Sequence, residues 1–218
     1  MTGILSEKQA KRQAYIQRVW RLAFLLTTDL VQSRKLFSAV LIERPRFTEM
    51  DIDILTRLVI LRAREYETGL MRSPAMQQAL REVQSGDNES AEHTTADNLP
   101  VPLALICAHA LPRQCMEAWL LKRVDGLGEV ALSRATDCSR TATTNHLKEA
   151  EQQMREMLGD ELEPLIDELK KKLLQLNAAP AVQTWKTKKR RRRILRLVFV
   201  ITLVIAILYA AQRVANLL

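Results

Sequence analysis

The side chains that could do chemistry in this 218-residue chain are 3 histidines, 3 cysteines and 25 carboxylates, and their spacing limits what they can do together. Cys107, Cys115 and Cys138 are odd in number and form no C-x-x-C pair. Zinc ligands need close, paired spacing, and His93, His109 and His146 do not supply it along the sequence. The thiols therefore read as reduced cysteines behaving as small hydrophobes, which argues for a reducing compartment. Asp51 and Asp53 lie two apart, on different faces of any helix that holds them. There is no glycine-rich phosphate loop, no H-E-x-x-H and no nucleophile elbow. These patterns argue against an enzyme, and no cofactor or metal is expected.

Two other stretches carry a more specific message. Residues 111–147 read "LPRQCMEAWLLKRVDGLGEVALSRATDCSRTATTNHL". The pattern is two short amphipathic helices joined by a tight turn, followed by a polar-faced helix. Ser139 is placed to cap that last helix, with Thr143, Leu147, Ala150, Met154 and Met157 as its apolar stripe. Asp137 stands in the turn, where a residue tolerant of left-handed backbone is needed. Such a helix-turn-helix presents the start of its second helix to the DNA major groove. Ser139, Arg140, Thr141, Thr143, Thr144, Asn145 and Lys148 are the candidate DNA-binding residues. Residues 99–158 balance seven cations against seven acids, so this unit binds phosphate weakly by itself.

The second stretch, "KKRRRRILRLVFVITLVIAILYAA", places a cationic block before an aliphatic run. From Leu197 to Leu208, ten of twelve residues are Leu, Ile, Val or Phe, and the uncharged run extends to Gln212. Arg196 and Arg213 bracket it about 25 Å apart as a helix, a thin but workable bilayer span. Lys188, Lys189, Arg190, Arg191, Arg192, Arg193, Arg196 and Arg213 are the candidate membrane-flanking cations. The positive-inside rule puts the block before the span, and hence the N-terminal body, in the cytoplasm. The same cations suit anionic headgroups.

The elements that must position these residues read as all-α throughout. Helical periodicity runs over 7–27, 29–42 and 48–70, and Ser73-Pro74 opens a short helix to about Gln84. Residues 85–102 are polar and lack apolar period; residues 82–98 within and beside them hold five acids and no Lys or Arg. This stretch reads as a flexible acidic linker. Helices follow near 103–110 and 112–123, and 159–180 forms an amphipathic helix with acids leading and lysines trailing. The charge is uneven: residues 1–81 hold 14 cations against 8 acids, or +6, and residues 186–218 hold nine cations and no acid.

Taken together, Leu111-Pro112, Leu120-Leu121, Gly126-Leu127, Ala135, Ser139 and Leu147 fall on a pattern that resembles region 4 of extracytoplasmic-function sigma factors of the sigma-70 family. "TTDLVQSRKLF" (27–37) is similar to the region 2 helix of that family. The resemblance covers roughly residues 10–158. It departs from the family at Asp137 and Cys138 in the turn, and at Ser33, Arg34 and Lys35 in the first unit.

The resemblance implies two small helical domains: a region 2-like bundle over 1–84 and a region 4-like helix-turn-helix domain over 103–158, joined by the 85–102 linker. A juxtamembrane helix (159–185), a polybasic flank (186–196) and a transmembrane helix (197–212) complete the expected layout. The resemblance also implies docking on core RNA polymerase through Asp29, Leu30, Gln32, Leu36 and Phe37, with promoter DNA as the second partner. Membrane lipid and an anti-sigma or envelope-sensing protein are further candidate partners. The expected function is a membrane-tethered transcription initiation factor at the cytoplasmic face of the bacterial inner membrane. The alternative is a tail-anchored, sigma-like interaction module without polymerase or promoter activity.

Overall fold

Helix ends in this chain are set by recognisable local chemistry. A computed structural model describes residues 2–44, 46, 50–66, 93–94 and 100–215. The short helix expected over 73–84 and most of the 85–102 linker lie outside the described residues. Helices α1 (Thr2–Thr27), α2 (Leu30–Glu43) and α3 (Ile52–Tyr66) form the first group. Asp29, in extended backbone, caps α2 by accepting the Gln32 N–H at 2.6 Å. Thr28 beside it adopts φ 52°, so α1 turns into α2 through a single left-handed residue.

A two-residue antiparallel pairing of His93–Thr94 with Pro100–Val101 precedes the second group. Its helices are α4 (Leu103–Ala110), α5 (Arg113–Trp119), α6 (Glu129–Thr136), α7 (Arg140–Leu158), α8 (Leu162–Gln175) and α9 (Ala179–Ala215). Proline at 102 and at 112 opens α4 and α5, where its missing N–H costs nothing. α5 continues into a π-helical turn, Leu120–Val124. α7 ends at Gly159, whose φ of 53° and ψ of −131° suit a residue without Cβ.

Both groups share one hydrophobic core. Trp20 of α1 and Phe37 of α2 meet edge to face, with ring centroids 5.8 Å apart. Leu105, Ile106, Trp119, Leu120, Leu132 and Met154 extend the same cluster into the second group. α3 packs against α6. Among the described residues, four ion pairs cross between the groups: Arg18–Asp125, Arg57–Asp137, Arg64–Glu117 and Arg134–Asp53. The His109 ring bonds the Leu25 carbonyl across the same boundary, with Nε2 2.8 Å from the oxygen.

The C-terminal segment is attached to this core. α8 buries Leu162, Ile166, Leu169 and Leu173 and packs on α4. A break at 176–178 follows, and the Ala179 N–H donates to Asn177 Oδ1 at 2.8 Å to start α9, with Pro180 in its first turn. α9 lies along α2, its first turns burying Ala181 and Trp185. Burying an indole contributes roughly 4–6 kcal/mol at about 25 cal/mol/Å². The Arg12 guanidinium and the Lys189 ammonium also lie over the Trp185 ring, 5.9 Å and 5.1 Å from its centroid.

Helical backbone continues without interruption through the basic flank and the aliphatic run. Among the described residues, no helix is long and apolar enough to cross a membrane. The side chains from Leu203 onward, most of the expected span, lie outside the described residues.

Candidate nucleic-acid interface

Within 111–147, where the sequence reading expects a helix-turn-helix, the chain forms α5, its π-helical turn, α6, a tight turn and the start of α7. Asp137 ends α6 at φ 60° and ψ 37°, the left-handed conformation required there. The Cys138 N–H then closes back on the Ser133 carbonyl at 3.1 Å. Ser139, in extended backbone, caps α7 by accepting the Ala142 N–H at 3.1 Å.

Ser139, Arg140, Thr141, Thr144, Asn145 and Lys148 are all exposed. From Arg140 onward their spacing of one and four residues places them on one stripe of the helix. Thr144 donates its hydroxyl to the Arg140 carbonyl at 2.9 Å, which leaves its methyl and oxygen facing out. Thr143 is different: it is buried, and its hydroxyl donates to the Ser139 carbonyl at 2.9 Å. Its place in the apolar stripe therefore excludes it from the DNA-facing set. Leu147, Ala150, Met154 and Met157 line the same inner face as expected.

The fold brings two further cations to the turn that sequence spacing did not show. Arg57 of α3 pairs with Asp137 at 2.8 Å, and Arg134 of α6 pairs with Asp53 at 3.2 Å. Both guanidinium side chains are well exposed, 46% and 70%. Ser133 and Cys138 complete a shallow groove with Arg57, Arg134 and Asp137. Counting Arg140 and Lys148, four cations stand here against Asp53, Asp137 and the exposed Glu149, so these named groups sum to +1. In sequence, Arg57 is eighty residues from the turn, so only tertiary packing of α3 on α6 could reveal it.

The residues expected to dock polymerase are placed less favourably. Asp29, Leu30 and Gln32 are half-buried at the start of α2. Leu36 and Phe37 are both wholly buried, between Trp20 and the rest of the core. They are core residues because α2 is covered by α1, α3 and α9. The exposed positions of α2 are instead Val31, Lys35 and Glu43.

At the basic flank, Lys188, Arg190 and Arg191 are exposed, and Lys189 is half-buried against Trp185. The side chains of Arg192, Arg193, Arg196 and Arg213 lie outside the described residues. All three cysteines are free thiols, with Cys107 and Cys115 buried and Cys138 half-buried. Burial pushes the Cys107 thiol up to about 11, consistent with an inert core residue. In comparisons with known proteins, no family model, no curated protein and no solved structure matches this chain.

Proposed function

We propose that this protein is a membrane-tethered, sigma-like transcription initiation factor that reads promoter DNA with α7. The observation that carries the proposal is the stripe Arg140, Thr141, Thr144, Asn145 and Lys148. It is exposed at the start of a helix that follows a left-handed turn and a serine cap. This is the geometry in which a helix-turn-helix offers base-reading side chains to the major groove. Arg57 and Arg134 stand beside the turn, where phosphates flanking the groove would lie. The cationic block and aliphatic run hold the body at the cytoplasmic face of the bacterial inner membrane. The test is run-off transcription by core RNA polymerase with the full chain in detergent, over a promoter library. A promoter-specific transcript that depends on the chain is expected; the absence of both a complex and a transcript would refute the proposal.

A second reading has its own support. Leu36 and Phe37 are interior, and α9 occupies one side of α2. A chain with that helix covered fits a tail-anchored interaction module that has lost polymerase contact. Unchanged DNA retention after joint substitution of Arg140 and Lys148 favours this reading over the first.

A further inference from the structure

Cys115 of α5 and His146 and Glu149 of α7 bring a thiol, an imidazole and a carboxylate together at the seam between the two helices. Cys115 Sγ stands 3.9 Å from His146 Nδ1 and 3.5 Å from Glu149 Oε2. One donor atom from each residue lies within 4.8 Å of the other two. We infer that this seam is a binding site for a divalent transition-metal ion of the zinc class.

The distances fit such an ion. With Zn–S about 2.3 Å and Zn–N or Zn–O about 2.0 Å, a tetrahedral centre holds its ligand atoms about 3.3–3.6 Å apart. The Cys115–Glu149 separation of 3.5 Å already matches, Cys115–His146 at 3.9 Å is slightly long, and all three donors lie within 4.8 Å of one another, so binding draws them closer together. Sulfur with imidazole selects zinc, cobalt or copper over magnesium or calcium, which prefer all-oxygen sites. The supporting contact is also in place: Gln153 Nε2 donates to Glu149 Oε1 at 3.2 Å, leaving Oε2 directed at Cys115. Cys115 forms a buried floor and Glu149 an exposed rim, so an ion enters from solvent and keeps a fourth position for water.

Coordination is a proton exchange without electron transfer. In the metal-free protein, burial and the neighbouring Glu149 carboxylate push the Cys115 thiol up to about 11, so it is protonated. As the metal–sulfur bond forms, that proton leaves to solvent. The cluster changes from −1 (Glu149 alone) to 0 (a dication with thiolate and carboxylate). That gain of one positive charge falls next to Lys148 and ties α7 to α5. Its effect on DNA retention rests on the promoter-reading proposal above; metal binding itself does not.

The experiment titrates the full chain in detergent with cobalt(II), then competes with zinc. One cobalt per chain, with a thiolate-to-cobalt charge-transfer band that zinc abolishes, is expected. Cys115→Ser removes the band, and Cys138→Ser leaves it intact. His146→Gln and Glu149→Gln each weaken affinity by more than about tenfold, and Gln153→Ala by about tenfold. Far-UV circular dichroism establishes that each variant is folded; should Cys115→Ser not fold, the two α7 ligand variants decide. No charge-transfer band at saturating cobalt overturns the inference, as does unchanged affinity in both His146→Gln and Glu149→Gln. The titration uses neither DNA nor polymerase, so its failure is distinct from failure of the promoter reading.

Discussion

Arg64 grips Glu117 through two parallel bonds, Nε to Oε1 at 3.1 Å and Nη2 to Oε2 at 2.6 Å. The pair joins α3 to α5 and so ties the N-terminal helices to the second group of helices. The Glu117 side chain is 2% exposed, and Arg113 Nε donates a third bond to it at 3.0 Å. A buried carboxylate in this position needs its cations, and a fork-to-fork geometry supplies both charge and direction.

Removing one partner should therefore cost more than removing both. Arg64→Ala leaves Glu117 with Arg113 alone and is expected to lower stability by about 2–3 kcal/mol, allowing for the partial exposure of Arg64. The paired change Arg64→Met with Glu117→Leu should cost less than about 1 kcal/mol. Urea unfolding of the detergent-solubilised chain, followed by tryptophan fluorescence, gives both values. A larger loss in the double variant would refute this account of the pair.

Leu36 and Phe37 should behave as packing residues. Phe37→Ala is expected to lower stability by about 3–5 kcal/mol and Leu36→Ala by about 2–5. Gln32→Ala, at the half-buried start of α2, should stay within about 0.5 kcal/mol. If core polymerase binds the chain, Gln32→Ala and Lys35→Ala are the variants whose pull-down separates docking from folding. Leu36 and Phe37 substitutions will report folding alone.

On the exposed α7 stripe proposed to read DNA, Arg140→Ala and Lys148→Ala should each leave stability within about 0.5 kcal/mol. Each should also reduce the slope of log affinity against log salt by about one. Arg57→Ala should act the same way if its guanidinium reaches a phosphate, at the added expense of the Asp137 pair. Fluorescence anisotropy on duplex DNA over a salt series measures all three. Thr143→Val should leave affinity unchanged, because its hydroxyl faces the Ser139 carbonyl inside the fold.

His109 should make the fold acid-sensitive. Burial lowers its proton affinity below the ordinary 6.5, with the Leu25 carbonyl opposing that shift. Below about 6.5 the unfolded chain takes up a proton that the folded ring refuses, so stability is full above that pH and declines beneath it. The loss between about pH 8 and about pH 5.5 is bounded at about 1.4 kcal/mol from this residue, the limit for a ring that stays neutral in the fold. His109→Gln should flatten that part of the profile, as read from urea midpoints at both pH values.

The second group of helices is the part most legible in sequence. α4 occupies Leu103–Ala110, and the cap at Ser139 and the left-handed turn at Asp137 both follow from residue type and position. Those signals are local, which is why they survive without tertiary information. The continuous helix read over 159–180 is less well resolved by periodicity: a 3-10 turn occupies Gly159–Glu161, and α8 ends at Gln175. The chain breaks there because Asn177 caps a new helix. Long-range pairs were invisible for a physical reason. Arg64 and Glu117 are 53 residues apart, Asp53 and Arg134 are 81, and Arg18 and Asp125 are 107. The Cys115, His146 and Glu149 trio follows the same logic. Only His146 and Glu149, three apart on one helix face, left a trace in the sequence, and their thiol came from another element.

Because α9 starts with Ala181 and Trp185 inside the core and continues as helix to Ala215, the globular part is mounted on a stiff mast. Thirty residues at about 1.5 Å each put roughly 45 Å between Trp185 and Ala215. A flexible leash would restrict only how far the body can wander. Were the far end anchored, as proposed above, a mast seated in the core would also fix which way the α7 stripe faces, so its heading and its height would be set together.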